Sequence, residues 1–261
     1  FCTSDQSEKN FIHYVLGKKE RHTLADYVTG VEETSANKFV LYSSAQTGKT
    51  TELKQLCWEL QQSGLYLPVS FEIRTNTKLK REDLPESQYV DGKEVVLVID
   101  ALDEVNGQKY EDLLEEIGGY AYEHPEMKMV LSCRSNFRRE RQLELFTELF
   151  LEELSIGDAK NYATKREVNS DGFMRSIFAN QLEDFIKNPF FLNVLIDAYK
   201  EKGKQLPKSK AEIYRLFLKS SYNKEVKEKN VPLSAQHSFE ESIQLMERVA
   251  LGLSLTNAQS L

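Results

Sequence analysis

The sequence has 261 residues, a length that allows one large domain or two modest ones. Hydrophobic residues make up 40% of it, which excludes a disordered chain, and no collagen-like or coiled-coil repeat is present. The net charge of −7 counts against a general nucleic-acid coat protein, although it does not exclude a local basic site. We therefore predict that nucleic acid is not the partner.

The longest apolar runs are about five residues, whereas a helix that crosses a bilayer needs roughly 20. No signal peptide is visible, and the chain begins with Phe1, which suggests a fragment of a longer protein. The three cysteines have no CxxC spacing and the four histidines no ligand spacing, so neither a disulfide framework nor a zinc site is indicated. We expect a cytoplasmic protein without a membrane partner.

Strand and helix patterns alternate over the first 155 residues. Short β-branched and apolar runs predict strands over 38–42, 67–73, 95–99, 129–132 and 149–151. Apolar residues at helical spacing predict a helix over 49–62. Further helices are predicted over 108–123 and, as a charged helix, over 138–148, while 74–94 is predicted to be a loop with a little helix. Because 95–99 is apolar throughout, as in a strand covered on both faces, we predict an α/β fold with a parallel sheet.

After residue 155 the strand signal disappears. Helical patterns cover 155–168, 174–187, 190–202, 209–226 and 238–254. Gly203, Pro207 and Pro232 separate the later helices. The sequence therefore predicts a helical region that follows the α/β domain.

The segment SSAQTGKT, residues 43–50, lies between the first predicted strand and its helix. Phosphate binding needs backbone N–H groups that point into a loop, a helix N-terminus, a lysine for the β/γ oxygens and a hydroxyl for Mg²⁺. Gly48, Lys49 and Thr50 supply these groups. A Gly-Lys pair also occurs in ordinary turns, so the position between strand and helix carries the prediction. The loop residues that would hold phosphate are Ser44, Ala45, Gln46, Thr47 and Gly48.

A second motif, VVLVIDALDE, places Asp100 at the end of the all-apolar strand. The carboxyl edge of a parallel sheet is where open α/β folds bind ligands, and an aspartate there can hold Mg²⁺ through water. Asp103 and Glu104 follow, and one of them could orient and polarise the attacking water. The alternative is a strand that ends in a solvated acidic loop.

A third candidate is Arg134, in the segment VLSCRS after the predicted strand 129–132. A cation at the same sheet edge could contact the terminal phosphate of a nucleotide. The alternative is a surface ion pair. Arg138, Arg139 and Arg141 extend the basic cluster, but the interleaved glutamates favour a solvated helix face over a nucleic-acid patch.

Together these motifs resemble a NACHT-type module of the STAND class of signal-transduction NTPases. The resemblance covers about residues 36–225 and includes LEELSIGDAKNYA, KNPFFLNVLI and SKAEIYRLFL after the three motifs above. Its most specific part is Asp-small-Leu-Asp-Glu, because most P-loop ATPases place the catalytic acid directly after the Mg²⁺ aspartate. Here Ala101 occupies that position.

The resemblance implies a role for each matching residue. Lys49 would contact the β- and γ-phosphates, Thr50 and Asp100 would hold Mg²⁺, and Thr51 would lie near the α-phosphate. Pro189, in Asn-Pro-Phe, would pack on the adenine, although the same residue fits the first turn of a helix. Asp103 and Glu104 would support hydrolysis and Arg134 would be the sensor arginine. Tyr14 and Val15 would line the base pocket.

The family fold places the sensor strand between the two strands that carry the nucleotide motifs, then a small helical domain and a winged helix. It implies a lead-in over 1–35, an NTPase domain over 36–153, a helical domain over 154–205 and the start of a winged helix over 206–261. Effector and sensor domains would lie outside this segment. Ser43 and Gln46 replace loop glycines, which implies a stiffer phosphate loop or slower hydrolysis.

The first functional hypothesis is an ATP/ADP-driven switch that opens and self-associates on activation, with slow hydrolysis, in immune or anti-phage defence. The second is a nucleotide-binding scaffold without turnover, which the altered loop motivates. A motor-type ATPase that acts on DNA is a third, and the net charge of −7 counts against it.

Overall fold

The computed structural model describes residues 23–30, 36–73, 79–105, 108–138, 143–201, 203, 205–207, 209–228 and 238–256. It divides into two compact units. The described residues up to Glu167, together with Glu183–Leu192, form the first, and Val168–Leu182 with the described residues from Asn193 onward form the second. The predicted domain boundaries at 36, 154 and 206 stay a prediction.

The first unit is built on a six-stranded sheet. Its strands are β1 (Lys38–Ser43), β2 (Tyr66–Glu72), β3 (Tyr89–Val90), β4 (Lys93–Asp100), β5 (Lys128–Arg134) and β6 (Thr147–Phe150). The order is β2-β4-β5-β1-β6, with these strands parallel, and β3 pairs antiparallel with β4. The predicted α/β fold with a parallel sheet is confirmed, and β5 lies between β1 and β4, as expected for the sensor strand.

Helices complete both units. In the first unit they are α1 (Leu24–Thr29), α2 (Lys49–Ser63), α3 (Gln108–Glu123) and α4 (Ile156–Lys165), and in the second α5 (Ser170–Ala179), α7 (Lys210–Glu228) and α8 (Phe239–Thr256). The helix α6 (Pro189–Glu201) begins in the first unit and continues into the second. Among the described helices, none is both long and apolar enough to cross a membrane.

The sheet is covered on both faces, as the all-apolar run 95–99 predicted. Val96 and Val98 pack with residues of α1 and α2, whereas Val95, Leu97 and Ile99 pack with residues of α3 on the other face. Each of these five side chains is almost fully buried. Burial on both faces fixes the register of β4, because a one-residue slip would exchange the two faces.

The predicted helix over 138–148 is wrong where the structure describes it. Residues 144–146 form a turn and β6 begins at Thr147, where it pairs with β1. Leu143 and Phe146 are buried in the core on the α3 side of the sheet, and Arg138 donates two hydrogen bonds to Glu148 at 2.7 Å. The charged segment 138–148 favours a helix in sequence, but strand pairing and burial override that preference.

The predicted helix over 174–187 is two shorter elements. The helix α5 begins after Asn169, whose side chain caps it, and ends at Ala179. Gln181 then adopts a positive φ of 55°, and a 3₁₀ turn covers Phe185–Lys187. A residue in the left-handed region ends an α-helix, which explains the break.

Every described secondary-structure element of the second unit is a helix. Phe173 of α5 packs edge-on against Tyr199 of α6, with ring centroids 5.4 Å apart. In α7 and α8, Arg215 forms an ion pair with Glu240 and Tyr222 contacts Phe239. The start of a winged helix over 206–261 stays a prediction.

Candidate functional site

The loop after β1 has the backbone form that phosphate binding requires. Gln46 and Gly48 adopt positive φ angles of 61° and 100°, so the loop turns back before α2 begins at Lys49. The N-cap residue Gly48 offers no side-chain hydrogen bond to the helix. The N–H groups of the first turn are therefore not capped by that residue and can meet an anion.

Lys49 folds back onto this loop. Its Nζ donates to Ser43 Oγ at 3.0 Å, to the Ser44 carbonyl at 3.2 Å and to the Ser43 carbonyl at 3.4 Å. Burial lowers the pKa of Lys49, while the nearby carboxylates of Asp103 and Asp100 raise it and Arg134 lowers it. The ammonium group is thus held at the mouth of the loop, where a phosphate could replace the carbonyl oxygens as its partner.

Thr50 and Asp100 both line a cavity of about 240 Å³. Its other lining residues are Leu53, Lys54, Cys57, Ser70, Phe71, Glu72 and Val98. A hydroxyl and a carboxylate fit Mg²⁺, which binds through one or two protein oxygens together with phosphate oxygens and waters. Within the described ranges no three His, Cys, Asp or Glu residues form a metal-binding group.

Asp100 is held by a serine that sequence reasoning missed. The Ser132 hydroxyl, which is fully buried, donates to Asp100 Oδ1 and accepts from the Ala101 N–H at 2.9 Å. Ala101 has a positive φ of 64°, so the chain turns sharply after the strand. The available signal was a polar residue within the otherwise apolar run MVLSC, one strand away from the carboxylate.

Asp103 and Arg134 form a paired group at the ends of β4 and β5. The guanidinium Nε lies 2.7 Å from Asp103 Oδ2, and the Arg134 backbone N–H donates to Asp103 Oδ1 at 2.9 Å. The Asp103 side chain is 4% exposed and that of Arg134 45% exposed. Arg134 therefore holds both carboxylate oxygens and still reaches solvent at the sheet edge, where a phosphate could contact it.

The remaining predicted residues lie at different places. Glu104 is exposed on the 3₁₀ turn Leu102–Glu104, and Thr51 follows Thr50 in the first turn of α2. Pro189 is the first residue of α6, and Asn188 Oδ1 accepts from the Phe190 N–H at 2.9 Å. The helix-cap interpretation of Asn-Pro is confirmed, whereas the adenine contact stays a prediction.

Tyr14 and Val15 lie outside the described residues, so the structure does not test their predicted contact with the base.

Sequence reasoning also missed the contact between the loop hydroxyls of Ser43 and Thr47. The two hydroxyls are hydrogen-bonded to each other, and Thr47 donates to the Ser44 carbonyl at 2.9 Å. Ser43 thus fixes the loop where a glycine would leave it free.

No family model matches the sequence, and no curated protein matches it. Among solved structures, the chain is similar to Hsp104 in a closed-state cryo-EM reconstruction with ATPγS and FITC casein, at 10% sequence identity and a TM-score of 0.45. The similarity covers 84% of this chain and 43% of that one, so this chain spans less than half of its length. At that TM-score the likeness adds nothing to the geometry described above.

Proposed function

We propose that this chain is the nucleotide-binding module of a NACHT-type signalling switch that binds ATP and ADP with Mg²⁺. The observation that carries the proposal is the convergence of Lys49, Thr50 and Asp100 at one edge of a parallel sheet, behind a loop with a positive φ at Gly48. A lysine, a hydroxyl and a strand-end aspartate in that arrangement have the chemistry of a nucleotide phosphate site.

Each residue then has a task toward the phosphates. Loop N–H groups from Ser44 to Gly48 would surround the β-phosphate, Lys49 would neutralise the β and γ oxygens, and Thr51 would lie near the α-phosphate. Thr50 and Asp100 would hold Mg²⁺, which neutralises developing charge on the phosphates. Pro189 would pack on the adenine.

The pair of Asp103 and Arg134 is the element of this proposal that distinguishes ATP from ADP. A γ-phosphate at the sheet edge would compete with Asp103 for the guanidinium, and ADP would leave the ion pair intact. A switch needs ligands that differ in affinity for its two states, and this exchange of partners would supply the difference. Slow hydrolysis, supported by Asp103 and Glu104, would return the module to the ADP state.

The wider role follows only from the resemblance. We propose that nucleotide exchange permits opening and self-association, and that the full protein acts in the cytoplasm in immune or anti-phage defence. Its effector and sensor would lie outside residues 1–261.

A nucleotide-binding scaffold without turnover is the second candidate. It is favoured by the hydrogen bonds that Ser43 makes to Thr47 and to Lys49, because they tie the lysine to the loop. A loop fixed in this way could bind phosphate without adjusting to the transition state.

The test is to denature the purified protein and identify the released nucleotide by ion-pair chromatography, with titration of ATP and ADP in the presence of Mg²⁺. We expect bound adenine nucleotide in the wild type and a loss of affinity of about 100-fold in Lys49→Ala, because a charge-assisted phosphate contact is removed. The matched control is Lys93→Ala, at the other end of β4, which should bind like the wild type. Equal binding by wild type and Lys49→Ala, or no binding by either, would overturn the proposal.

A further inference from the structure

The cavity beside Asp100 lies between the sheet and α2. Residues of β2 and β4 line it on the sheet side, and residues of α2, among them Thr50 and Lys54, line it on the helix side. The cavity therefore begins at the proposed Mg²⁺ ligands and extends along the sheet on its β2 side. An acidic residue on β2 that shares this cavity would share its waters with the metal site.

Glu72 is that residue. It is the last residue of β2, and the parallel register places it directly opposite Asp100, the last residue of β4. Neighbouring strands are about 4.8 Å apart, so the two carboxylate-bearing residues are adjacent across the sheet. Both line the cavity together with Thr50.

The alternation along β2 places Glu72 on the same face as Asp100. Leu67, Val69 and Phe71 pack against the core on the α3 side, so Ser70 and Glu72 occupy the opposite, α2-facing positions. On β4 the α2-facing position before Asp100 is Val98, which pairs with Ser70. The apolar face of the sheet thus becomes polar at this cavity.

The other carboxylates are placed differently. Asp103 lies on the β5 side, where both of its oxygens accept hydrogen bonds from Arg134, and it does not line the cavity. Glu104 lies on the 3₁₀ turn beyond Asp100 and does not line the cavity. Among these acids, Glu72 shares the cavity with both proposed Mg²⁺ ligands.

We propose that Glu72 is the general base for ATP hydrolysis, an inference that rests on the proposed function. Glu72 accepts a proton from a water as that oxygen forms a bond to the γ-phosphorus. The bond between the γ-phosphorus and the β–γ bridging oxygen breaks, and its electron pair leaves with ADP. The products are ADP and inorganic phosphate, and the proton on Glu72 passes to solvent through the open cavity.

The experiment compares Glu72→Gln and Glu72→Asp with the wild type in single-turnover hydrolysis of ATP, with nucleotide affinity measured on the same samples. Glu72→Gln should lose about 100-fold or more in rate, because a general base supplies that much, while affinity for ATP stays within about threefold. After incubation with ATP, the nucleotide recovered from Glu72→Gln should be ATP, whereas the wild type should yield ADP. Glu72→Asp should keep more activity than Glu72→Gln, because it retains the carboxylate.

Two controls separate this inference from its alternatives. Glu59→Gln, which alters a carboxylate farther along α2 that accepts a hydrogen bond from Gln55, should hydrolyse ATP like the wild type. Glu104→Gln tests the acid that the family resemblance favours. If Glu104→Gln loses turnover and Glu72→Gln keeps it, the assignment of Glu72 is wrong and the nucleotide site stands.

Three further outcomes are decisive. A wild type that binds ATP without hydrolysing it would overturn the role of Glu72 and leave the scaffold function. A Glu72→Gln variant that loses affinity would also overturn it, because the residue would then be a binding group. Unchanged affinity in Lys49→Ala would instead overturn the proposed function itself.

Discussion

The two sides of β4 differ at its carboxyl end. On the β5 side, Asp100 bonds to the buried Ser132 and Asp103 bonds to Arg134, so each of these carboxylates has a side-chain partner, and we call this the closed side. On the β2 side, Glu72 borders a cavity of about 240 Å³ that also contains Thr50. One strand end thus has a closed side and an open side.

The difference indicates that the two sides have different roles. The closed side fixes the direction of Asp100 through a hydroxyl that has no solvent access, which is how a ligand is held in one orientation. The open side has a cavity that would give room to the proposed metal, its waters and a phosphate. Substitutions on the closed side should therefore cost stability, in addition to any effect on the phosphate contact proposed for Arg134, whereas substitutions on the open side should change stability little.

The largest expected effect on stability is that of Arg134→Ala. It removes the guanidinium from Asp103, whose side chain is 4% exposed, and leaves a buried carboxylate with only its backbone hydrogen bond. We expect a loss of about 3 kcal/mol in the free energy of unfolding, measured by urea denaturation at pH 7.

Arg138→Ala is the matched control, because Arg138 pairs with Glu148 at the same distance of 2.7 Å but both side chains are more exposed than Asp103. Loss of this ion pair should lower the free energy of unfolding by no more than about 1 kcal/mol. Equal losses in the two variants would contradict the view that the β5 side is closed.

A smaller effect is expected from Ser132→Ala, which tests the contact behind Asp100. The variant removes the donor to Asp100 and the acceptor for the Ala101 N–H, both in the interior. We expect a loss of about 2 kcal/mol in the free energy of unfolding. The same substitution on the open side, Ser70→Ala, should change it by less than about 0.5 kcal/mol, because Ser70 is exposed.

The sheet and the loop between β1 and α2 could be predicted because their signals are local. The run 95–99 is apolar at every position, and Gly48, Lys49 and Thr50 are adjacent in the chain and fall at a strand–helix junction. Residues that are adjacent in the chain stay close together in the fold, so their spacing can be read from the sequence. The parallel sheet followed from the alternation of strands and helices, whereas the position of β5 between β1 and β4 was implied by the family resemblance, and the structure shows both.

The partners of the site residues could not be predicted in the same way. Ser132 meets Asp100, and Glu72 lies opposite Asp100, only through the register of three strands. A register is set by packing of whole faces, and no single segment encodes it. The helix predicted over 138–148 failed for a related reason, since pairing of Thr147–Phe150 with β1 decided its structure.

The smallest effect expected on the closed side is a pH dependence at Cys133, between Ser132 and Arg134. Burial raises the pKa of its thiol from 9.0 to about 11. Above pH 9 the unfolded thiol loses its proton while the folded one keeps it, so stability is full below pH 9 and falls as pH rises toward 11. The slope for one such group is about 1 kcal/mol per pH unit.

The measurement is urea unfolding at pH 8, 9, 10 and 10.5 for the wild type and Cys133→Ala. The raised pKa of Tyr42, about 12, adds a fall above pH 10, and the lowered pKa of Lys49 acts with the opposite sign, but both groups are common to the two proteins. The difference in slope therefore reports the thiol together with its electrostatic effect on the pKa of Tyr42 and of Lys49. Parallel pH profiles would mean that Cys133 ionises as readily in the folded protein as in the unfolded one, and the β5 side would then be open to solvent.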